Sequence, residues 1–384
     1  MKIIKVEGGL MIKSWSDVLE VGALEQARNL ARLPFAFRHI SLMADAHQGY
    51  GMPIGGVMAT EDVIVPNAVG VDIGCGMCAA KTSLHEISVD ALKKIIGEIR
   101  RRIPVGMNRH RDRQDPVLMP AGNTDIIVDR EYGHALHQIG TLGSGNHFIQ
   151  FSMGSDGHIW VMVHSGSRNL GKQVADFYNR KAVELNDRMR ISVPKAWDLA
   201  SLPINSAIGQ AYQIGMTYSV DFALANRKLM MNRIAEIVYD TTGGTFDEMI
   251  NIAHNYAKLE SHFGKNVIVH RKGATSARDG EIGIIPGSQG TASYIVRGKG
   301  NSESFQSCSH GAGRKMGRKQ AERTLNLEEE KKRLDDKGII HAVRGVRDLD
   351  EADGAYKDID IVIASQADLV DIIVKLDPLG VIKG

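Results

Sequence analysis

Glycine-rich polar loops recur along this chain and constrain its fold more than any other feature. Five short segments combine glycines with polar residues, and most of them carry a histidine or a serine: 48–56, 143–147, 164–171, 286–293 and 309–314. Glycine lets a backbone approach a ligand closely or adopt a positive φ. We expect these loops to form the walls of one large site, with about two of them serving only as turns.

Apolar runs of strand length and helical patterns are intermingled along the chain. Strand-like runs lie near 39–44, 57–65, 77–82, 146–151, 158–164, 266–270, 281–285 and 292–297. Helical patterns lie near 23–33, 89–102, 172–188, 206–240 and 313–336. No proline- or serine-rich linker and no internal repeat interrupts them. The sequence therefore predicts an α+β, or mixed α/β, fold in which residues 1–384 form a single domain around one site.

Composition and charge narrow the class of protein. Of 384 residues, 43% are hydrophobic and 24% are charged, as in a globular protein. The net charge of +2 gives no overall field for nucleic acid, although a local basic patch is compatible with it. No stretch approaches the about 18 apolar residues of a membrane span, and the N-terminus lacks a signal-peptide core. Three cysteines, Cys75, Cys78 and Cys308, cannot all pair within the chain, which favours a reduced, cytoplasmic protein.

The segment Asn67–Met77 places a carboxylate, Asp72, three residues before a thiol, Cys75. Its short apolar run, Ala68, Val69 and Val71, predicts a buried strand whose end is broken by the glycines at 70, 74 and 76. An ionised carboxylate buried beside apolar strands is costly unless it is paired or coordinates a metal, and a thiolate could coordinate the same ion. The alternative is a small buried cysteine with a capping aspartate, and this segment alone favours neither.

Three histidines could complete such a metal site. They follow strand-like runs or lie beside glycine or asparagine: His147, His164 and His254. Each alone is more often a core or loop histidine. With Asp72 and Cys75, however, they supply enough ligands for two ions if one ligand is shared, and the set suits manganese, zinc or another first-row ion better than a cysteine-rich structural zinc site. Cys78 lies three residues further along a strand, where its side chain should face away, so we predict that it packs in the core.

His310 is a histidine of another kind. Small residues in Cys308–Arg314 leave its imidazole accessible, and a basic stretch continues through Arg318 and Lys319. Histidine can form covalent intermediates, and arginine near a helix N-terminus attracts phosphate. The segment is therefore either a nucleophile beside an anion-binding entrance or, as is commoner for such a segment, an exposed loop histidine before a solvated basic helix.

Ordered motifs along nearly the whole chain resemble those of the RtcB family of GTP-dependent RNA ligases. They are Met43–Gly56, Val71–Met77, Gly143–Phe148, His164–Arg168, His254–Ala257, His270–Thr275, Pro286–Tyr294, Ser309–Arg314, Gly354–Lys357 and Lys383–Gly384. So many motifs in the same order do not arise by chance. The resemblance implies a fold peculiar to that family, with mixed sheets and surrounding helices around a central metal cleft.

The resemblance also implies a two-manganese site and a covalent mechanism. The protein ligands would be Asp72 and His147 for one ion, His164 and His254 for the other, and Cys75 as the bridge between them. His310 would take GMP from GTP as a histidine–guanylate. The ligase would transfer this GMP to an RNA 3′-phosphate, from which a 5′-hydroxyl end would displace it. A 2′,3′-cyclic phosphate would first be opened.

Contacts to the nucleotide and to RNA follow from the same resemblance. Asn146 would contact the GMP phosphate. The other residues at the family's nucleotide positions are Gln150, Ser288, Ser293, Tyr356 and Lys383, with backbone contacts at Ala312 and Gly313. The candidates for contact with the RNA end are Asp45, Arg168, Lys272 and Arg314. Contacts of this kind position a phosphate and carry no sequence information.

Gln150 departs from the family pattern. The family usually has a glutamate there, whose role is to accept hydrogen bonds from the guanine edge. Gln150 can accept through its carbonyl, but it loses a charge-assisted bond that is about twice as strong as a neutral one. We therefore expect weaker affinity for GTP or looser discrimination against ATP.

Three functions fit these residues. The first is a monomeric ligase whose partner is RNA with 3′-phosphate or 2′,3′-cyclic-phosphate ends and 5′-hydroxyl ends. The second is a relative specialised in RNA repair, which caps 3′-phosphate ends with GMP and joins them weakly. The third is a non-catalytic protein that binds RNA ends, and the retention of all five metal ligands and His310 counts strongly against it. Transfer RNA halves, cleaved ribosomal RNA and messenger fragments all present such ends.

Overall fold

The computed structural model describes residues 1–384, in which strands and helices are mixed throughout. The strands are β1 (Lys2–Ile4), β2 (Met11–Ser14), β3 (Ala36–Tyr50), β4 (Met52–Thr60), β5 (Val63–Ile64), β6 (Gly76–Lys81), β7 (Phe148–Gly154), β8 (Ile159–Ser165), β9 (Leu202–Pro203), β10 (Ile250–Ala253), β11 (Asn255–His262), β12 (Lys265–Lys272), β13 (Ala274–Ser276), β14 (Ile282–Ile285), β15 (Ser293–Gly298), β16 (Ser307–Ser309) and β17 (Val370–Lys383). The helices are α1 (Val21–Ala31), α2 (Pro66–Val69), α3 (Val89–Arg102), α4 (Ile126–Ala135), α5 (Arg168–Met189), α6 (Ala207–Thr242), α7 (Arg318–Thr324), α8 (Leu327–Asp336) and α9 (Ile359–Ser365). The predicted α+β class is confirmed.

Two large sheets organise the chain. One has six strands in the order β1-β2-β3-β4-β12-β11, and the other has seven in the order β10-β6-β8-β7-β17-β15-β14. All neighbours are antiparallel except β2 and β3. Two short pairs, β5–β9 and β13–β16, complete the pairing. Strands far apart in sequence, such as β7 and β17, are thus neighbours in space, which brings distant motifs together.

Helix α6 fixes the loops that carry the candidate site. Its first turn is capped by the Ser206 hydroxyl, and it ends at Gly243 with a φ of 75°, the left-handed conformation that favours glycine. Asn226 and Arg227, in the middle of this helix, are fully buried. Arg227 donates to the carbonyls of Gly74 and Ser165 at 2.9 and 2.7 Å. These bonds hold the loop before β6 and the end of β8 against the helix.

Two local predictions are wrong. The run 68–71 is not a strand: Pro66–Val69 form a short helix, favoured by proline in its first turn and ended by Gly70 at a φ of 94°. Val71 is correspondingly exposed. The helical pattern 313–336 is split into α7 and α8, because Asn326 caps a new helix by accepting from two backbone N–H groups.

The other strand-like runs predicted from the sequence all overlap strands, but several strands, among them the 14-residue β17, correspond to none of these runs. Strand β17 contains Pro378, which removes a backbone donor, and its register with β7 shifts between Pro378 and Gly380. Cys78 packs in the core as predicted, and all three cysteines are free. None of the helices has the length and apolar character needed to cross a membrane.

Candidate metal and nucleotide site

Four candidate metal ligands lie at the same end of four adjacent strands of the seven-stranded sheet. In the order of the strands, His254 directly follows β10, Cys75 directly precedes β6, His164 lies next to the end of β8, and His147 directly precedes β7. In antiparallel pairing, the end of one strand lies beside the start of the next. The topology therefore brings four residues that are distant in sequence together at one end of these strands.

The donor atoms of these residues converge. We call Asp72, Cys75, His147, His164 and His254 the ligand cluster. The sulfur of Cys75 lies 3.3 Å from His164 Nε2 and 3.5 Å from His147 Nε2, and these three donor atoms all lie within 4.8 Å of one another. Asp72 Oδ2 lies 3.2 Å from His147 Nε2. His254 stands next to His164, with 5.2 Å between ring centroids.

The protonation of the cluster suits a metal ion. Burial, together with the Asp72 carboxylate, raises the pKa of the Cys75 thiol well above its usual value, so a thiolate there needs a cation in place of its proton. Burial lowers the pKa of His164 and of His254 well below the usual range, so both imidazoles are neutral. The buried Nδ1 of His254 has no hydrogen-bond partner, which is costly unless something binds it. This donor set fits a first-row transition ion.

Arg168, a predicted RNA contact, lies against the ligand cluster. Its Nη1 is 3.4 Å from His147 Nδ1, and its buried Nε has no partner. Its guanidinium occupies the space that a side chain at position 143 would need, and Gly143 has a φ of 96°. Burial acts to raise the pKa of Asp72, but the hydrogen bond and charge of His147 and the charge of Arg168 lower it overall. An unpartnered guanidinium nitrogen beside candidate metal ligands is suited to an anion.

His310 lies next to the cluster with one ring nitrogen bound and the other free. Its ring centroid is 4.8 Å from that of His254, and its Nδ1 is 2.6 Å from Asp45 Oδ2. The backbone N–H groups of His310 and Gly311 donate to the same oxygen at 3.1 and 3.3 Å. Burial acts to raise the pKa of Asp45, but the charge and hydrogen bond of His310 lower it overall.

The structure places Asp45 elsewhere than at the RNA end, where the resemblance predicts it. It is completely buried under His310 and offers no surface to an RNA end. Its contacts with His310 make it a residue that orients the imidazole and favours the tautomer with a proton on Nδ1. The nitrogen Nε2 then keeps its lone pair.

A second polar cluster surrounds the buried carboxylate of Glu351. Its carboxylate accepts hydrogen bonds from Arg314 Nη1 at 3.2 Å, from Arg318 Nε at 3.0 Å and from the hydroxyl of Tyr356. Lys383 Nζ lies 3.8 Å away. Burial acts to raise the pKa of Glu351, but the charges of the three cations lower it overall. We call these five residues the Glu351 cluster.

Glu351 is the residue that the sequence assignment of the site missed, and Arg318 was named only within a basic stretch near His310. The available signal was the acidic run 348–353, which lies directly before the motif Gly354–Lys357. Four acids so close to a functional motif are more than a solvated turn needs. Arg318 also lies close to Gly145, in the loop that carries Asn146, and so connects the two clusters.

Two other predicted RNA contacts point into the protein. Lys272 is buried, and its Nζ donates to the carbonyls of Tyr50 and Asn67 at 2.5 and 3.0 Å. Burial lowers its pKa to about 7. Arg314 donates to the carbonyl of Asp350 at 2.5 Å in addition to Glu351. The structure gives both residues a role within the chain, and contact with RNA stays a prediction for them.

Gln150 and Lys383 share one face of the seven-stranded sheet. Gln150 of β7 pairs with Val381 of β17, so Lys383, two residues on, points to the same side. The side-chain N–H of Gln150 donates to Ser152 Oγ at 3.0 Å. This bond fixes the amide and leaves its oxygen free to accept, as guanine would require.

The other nucleotide candidates lie on three loops. Ser288 Oγ is 2.7 Å from Thr291 Oγ1, and Ser293 Oγ accepts from the Gly287 backbone at 3.1 Å. Both serines are thus engaged within one turn, 287–293. Through that turn they reach the Glu351 cluster, because the Gln289 side chain donates to the Glu351 carbonyl at 2.9 Å.

Asn146 and Gly313 bring the remaining two loops to the metal ligands and to His310. The carbonyl of Asn146 lies 3.1 Å from His164 Nδ1 and orients that ring. Gly313, next to Ala312, has a φ of 74°, and a side chain there would overlap the carbonyl of Asp45. The predicted convergence of glycine-rich loops is therefore seen for 143–147, 164–171 and 309–314.

Comparison with known proteins places these features in a family. The family model described as "tRNA-splicing ligase RtcB" matches residues 26–120 and 117–384. The chain is 36% identical to the RNA-splicing ligase RtcB of Escherichia coli K12, with 97% of each chain covered. It is 34% identical to the tRNA-splicing ligase RtcB of Thermococcus kodakarensis, over 94% of this chain and 91% of that relative. It is also 34% identical to the RNA-splicing ligase RtcB of Mycobacterium tuberculosis, over 94% of this chain and the whole of that relative.

Proposed function

The chain belongs to the RtcB family, and from that premise we propose that it is a GTP- and manganese-dependent RNA ligase. It would join RNA 3′-phosphate or 2′,3′-cyclic-phosphate ends to 5′-hydroxyl ends. The observation that carries the proposal is His310, whose Nδ1 is held by buried Asp45 while its Nε2 is free beside the ligand cluster. A binding protein has no need of such a nucleophile.

Two manganese ions would be held by the ligand cluster. Asp72 and His147 would bind one, His164 and His254 the other, and the sulfur of Cys75 would serve both. When bound, the ions supply charge neutralisation for the phosphate and activation of the attacking oxygen. The neutral imidazoles and the partnerless Nδ1 of His254 support this assignment.

His310 performs the first step. Its Nε2 attacks the α-phosphorus of GTP, the bond from that phosphorus to the bridging oxygen breaks, and pyrophosphate leaves with the electron pair. Asp45 accepts from Nδ1–H throughout and stabilises the positive charge that develops on the imidazole. The contact with Asp45 therefore keeps the imidazole ring in one orientation while the phosphoramidate forms on its Nε2.

One further displacement frees His310, and a second joins the strands. An oxygen of the RNA 3′-phosphate attacks the same phosphorus, and the bond to Nε2 breaks. The 5′-hydroxyl of the second strand then attacks the activated 3′-phosphate, which forms the phosphodiester and releases GMP and the proton of the hydroxyl. Arg168, with its unpartnered Nε beside the ligand cluster, would hold the 3′-phosphate for these steps.

Nucleotide binding would fall to the residues of the Glu351 cluster and to the face that carries Gln150. The cations Lys383 and Arg318 are oriented by Glu351 before any nucleotide arrives. Gln150 offers a neutral acceptor to guanine where the family usually has a carboxylate. Weaker preference for GTP over ATP is therefore part of the proposal.

Transfer of radiolabel from GTP to the protein tests the mechanism. The protein is incubated with Mn²⁺ and GTP labelled on the α-phosphate and is then analysed by denaturing electrophoresis. We expect label on the wild type and on His85→Ala, which alters an exposed histidine, but none on His310→Ala. An unlabelled wild type, or label that survives His310→Ala, would overturn the mechanism. End-labelled RNA added afterwards shows whether the product is a joined strand or only a 3′-GMP cap.

A further inference from the structure

An arginine-rich loop lies at the rim of the site and has no part in the steps above. Residues 100–115 contain six arginines and two aspartates, in a chain whose net charge is only +2. Two of the six, Arg101 and Arg102, pair with Glu98 and Glu236. The three in 106–114, which we call the arginine loop, are exposed and make neither an ion pair nor a hydrogen bond: Arg109, Arg111 and Arg113.

The backbone of the arginine loop is fixed although its arginines are free. The Gly106 N–H donates to the Gly143 carbonyl at 2.7 Å, and the His110 N–H donates to the His137 carbonyl at 2.9 Å. Arg233 of helix α6 holds the far side of the loop, because its Nη2 donates to Gln114 Oε1 at 2.6 Å. None of these bonds uses the three free arginines, so their charges are not needed to hold the fold.

The anchor at Gly143 places the loop beside the metal ligands. Gly143 opens the segment that carries Asn146 and His147, and the guanidinium of Arg168 packs against it. Arg109 is three residues beyond Gly106, which is at most about 11 Å of extended chain. The free arginines therefore extend outward from the rim of the site where the RNA end would react.

We propose that the arginine loop binds backbone phosphates of the RNA strand, beyond the end that reacts. Guanidinium groups pair bidentately with phosphate oxygens, and these three arginines give up no ion pair or hydrogen bond within the protein in doing so. Such contacts are independent of sequence, which suits an enzyme that recognises the chemistry of an RNA end. The proposal rests on the proposed function, because it takes the strand in the cleft to be RNA.

Salt dependence of RNA binding tests the loop directly. Anisotropy of a fluorescent single-stranded 12-mer with a 3′-phosphate is measured at increasing salt for the wild type and for Arg109→Gln/Arg111→Gln/Arg113→Gln. Each phosphate contact contributes about 0.7 to the slope of log affinity against log salt for a single strand. Loss of two or three contacts should therefore reduce the slope by about 1.4 to 2.1.

A matched variant controls for the loss of charge. Arg180→Gln/Arg188→Gln/Arg190→Gln removes three exposed, unpaired arginines, two in the second half of α5 and one at its C-cap. Arg188 lies about 30 Å along that helix from Arg168. This control should keep the wild-type slope, and the melting temperatures of both variants should stay close to that of the wild type. A nucleoside 3′-monophosphate, which has no backbone phosphates beyond the reacting end, should bind the loop variant and the wild type alike.

Two results would overturn the proposal. One is a loop variant with the wild-type slope, which would point to another partner such as an acidic protein. The other is an equal loss of slope in the α5 control, which would show only an effect of net charge. Failure of the ligase proposal is separate, because it appears as a wild type that GTP does not label, whatever the RNA slopes show.

Discussion

The ligand cluster and the Glu351 cluster both contain buried polar groups, and they differ in how those buried groups are compensated. In the ligand cluster the Nδ1 of His254 has no partner, and burial holds Cys75 in its protonated form. In the Glu351 cluster one carboxylate faces three cations and a phenol, each within contact distance. Burying a polar group costs free energy unless it is paired. In the Glu351 cluster other residues of the protein pair with the buried carboxylate, whereas in the ligand cluster a buried nitrogen stays unpaired.

The difference separates a site that is incomplete without an ion from one that is arranged in advance. Removal of metal should disable the ligand cluster, because nothing else supplies its missing partner. The Glu351 cluster should keep its geometry without metal and without nucleotide.

Loss of Cys75 should have the largest effect. Cys75→Ala removes the sulfur that lies between His147 and His164, and we expect guanylylation of His310 to be abolished because both ions are lost. Cys78→Ala, three residues away on the opposite face of β6, should leave guanylylation nearly unchanged and cost about 1 kcal/mol of stability. Label transfer and bound manganese are measured for both. Equal behaviour would mean that Cys75 is not the bridging ligand.

Lys272 tests what an uncompensated buried charge costs. Its ammonium is held by carbonyl oxygens rather than by a carboxylate, and burial lowers its pKa from 10.5 to about 7. Between these values the unfolded chain binds more protons than the folded one, so the free energy of unfolding rises with pH. From pH 7 to pH 9.5 the wild type should gain about 3 kcal/mol relative to Lys272→Met.

Denaturant unfolding of both proteins across that pH range measures the difference. Use of the variant as reference removes the contributions of the other titrating groups, which the two proteins share. A constant difference would show that Lys272 keeps its ordinary pKa.

Glu351→Gln should weaken nucleotide binding without removing the chemistry. The neutral amide holds Lys383 and Arg318 less firmly, and we expect KM for GTP in guanylylation to rise about tenfold, equivalent to about 1.4 kcal/mol. The control is Glu260→Gln, another buried acid, whose partners are Arg271 and His262. It should lower stability and leave KM unchanged. Similar KM values for the two variants would contradict the assignment of the Glu351 cluster to the nucleotide.

Gln150→Glu should give the smallest change. A carboxylate next to Ser152 would restore the charge-assisted acceptor, so the preference for GTP over ATP in label transfer should increase a few-fold, in line with a bond about twice as strong. Competition between labelled GTP and unlabelled ATP measures the preference. A wild type that already excludes ATP, with no change in the variant, would refute the role given to Gln150.

The residue types of the site were within reach of the sequence. A carboxylate, a thiol and three histidines in glycine-rich contexts indicate a metal site because few other combinations tolerate burial. Strands such as β6, β8 and β12 were visible because their apolar residues form local runs. Strand β17 was not, since Pro378 and its charged residues hide a pattern that the neighbouring strands impose.

What a residue does, in contrast, depended on partners far away in the sequence. Asp45 and Lys272 carry the charges that the sequence shows, but only the tertiary structure places one under His310 and the other among backbone carbonyls. The role proposed for Glu351 depends on strand β17, which places Lys383 Nζ 3.8 Å from its carboxylate. Periodicity and composition are local, whereas the pairing of buried charges is decided by the packing of whole strands and helices. The sequence by itself therefore determined the chemistry of the glycine-rich loops, and the tertiary structure decided which of those groups meet.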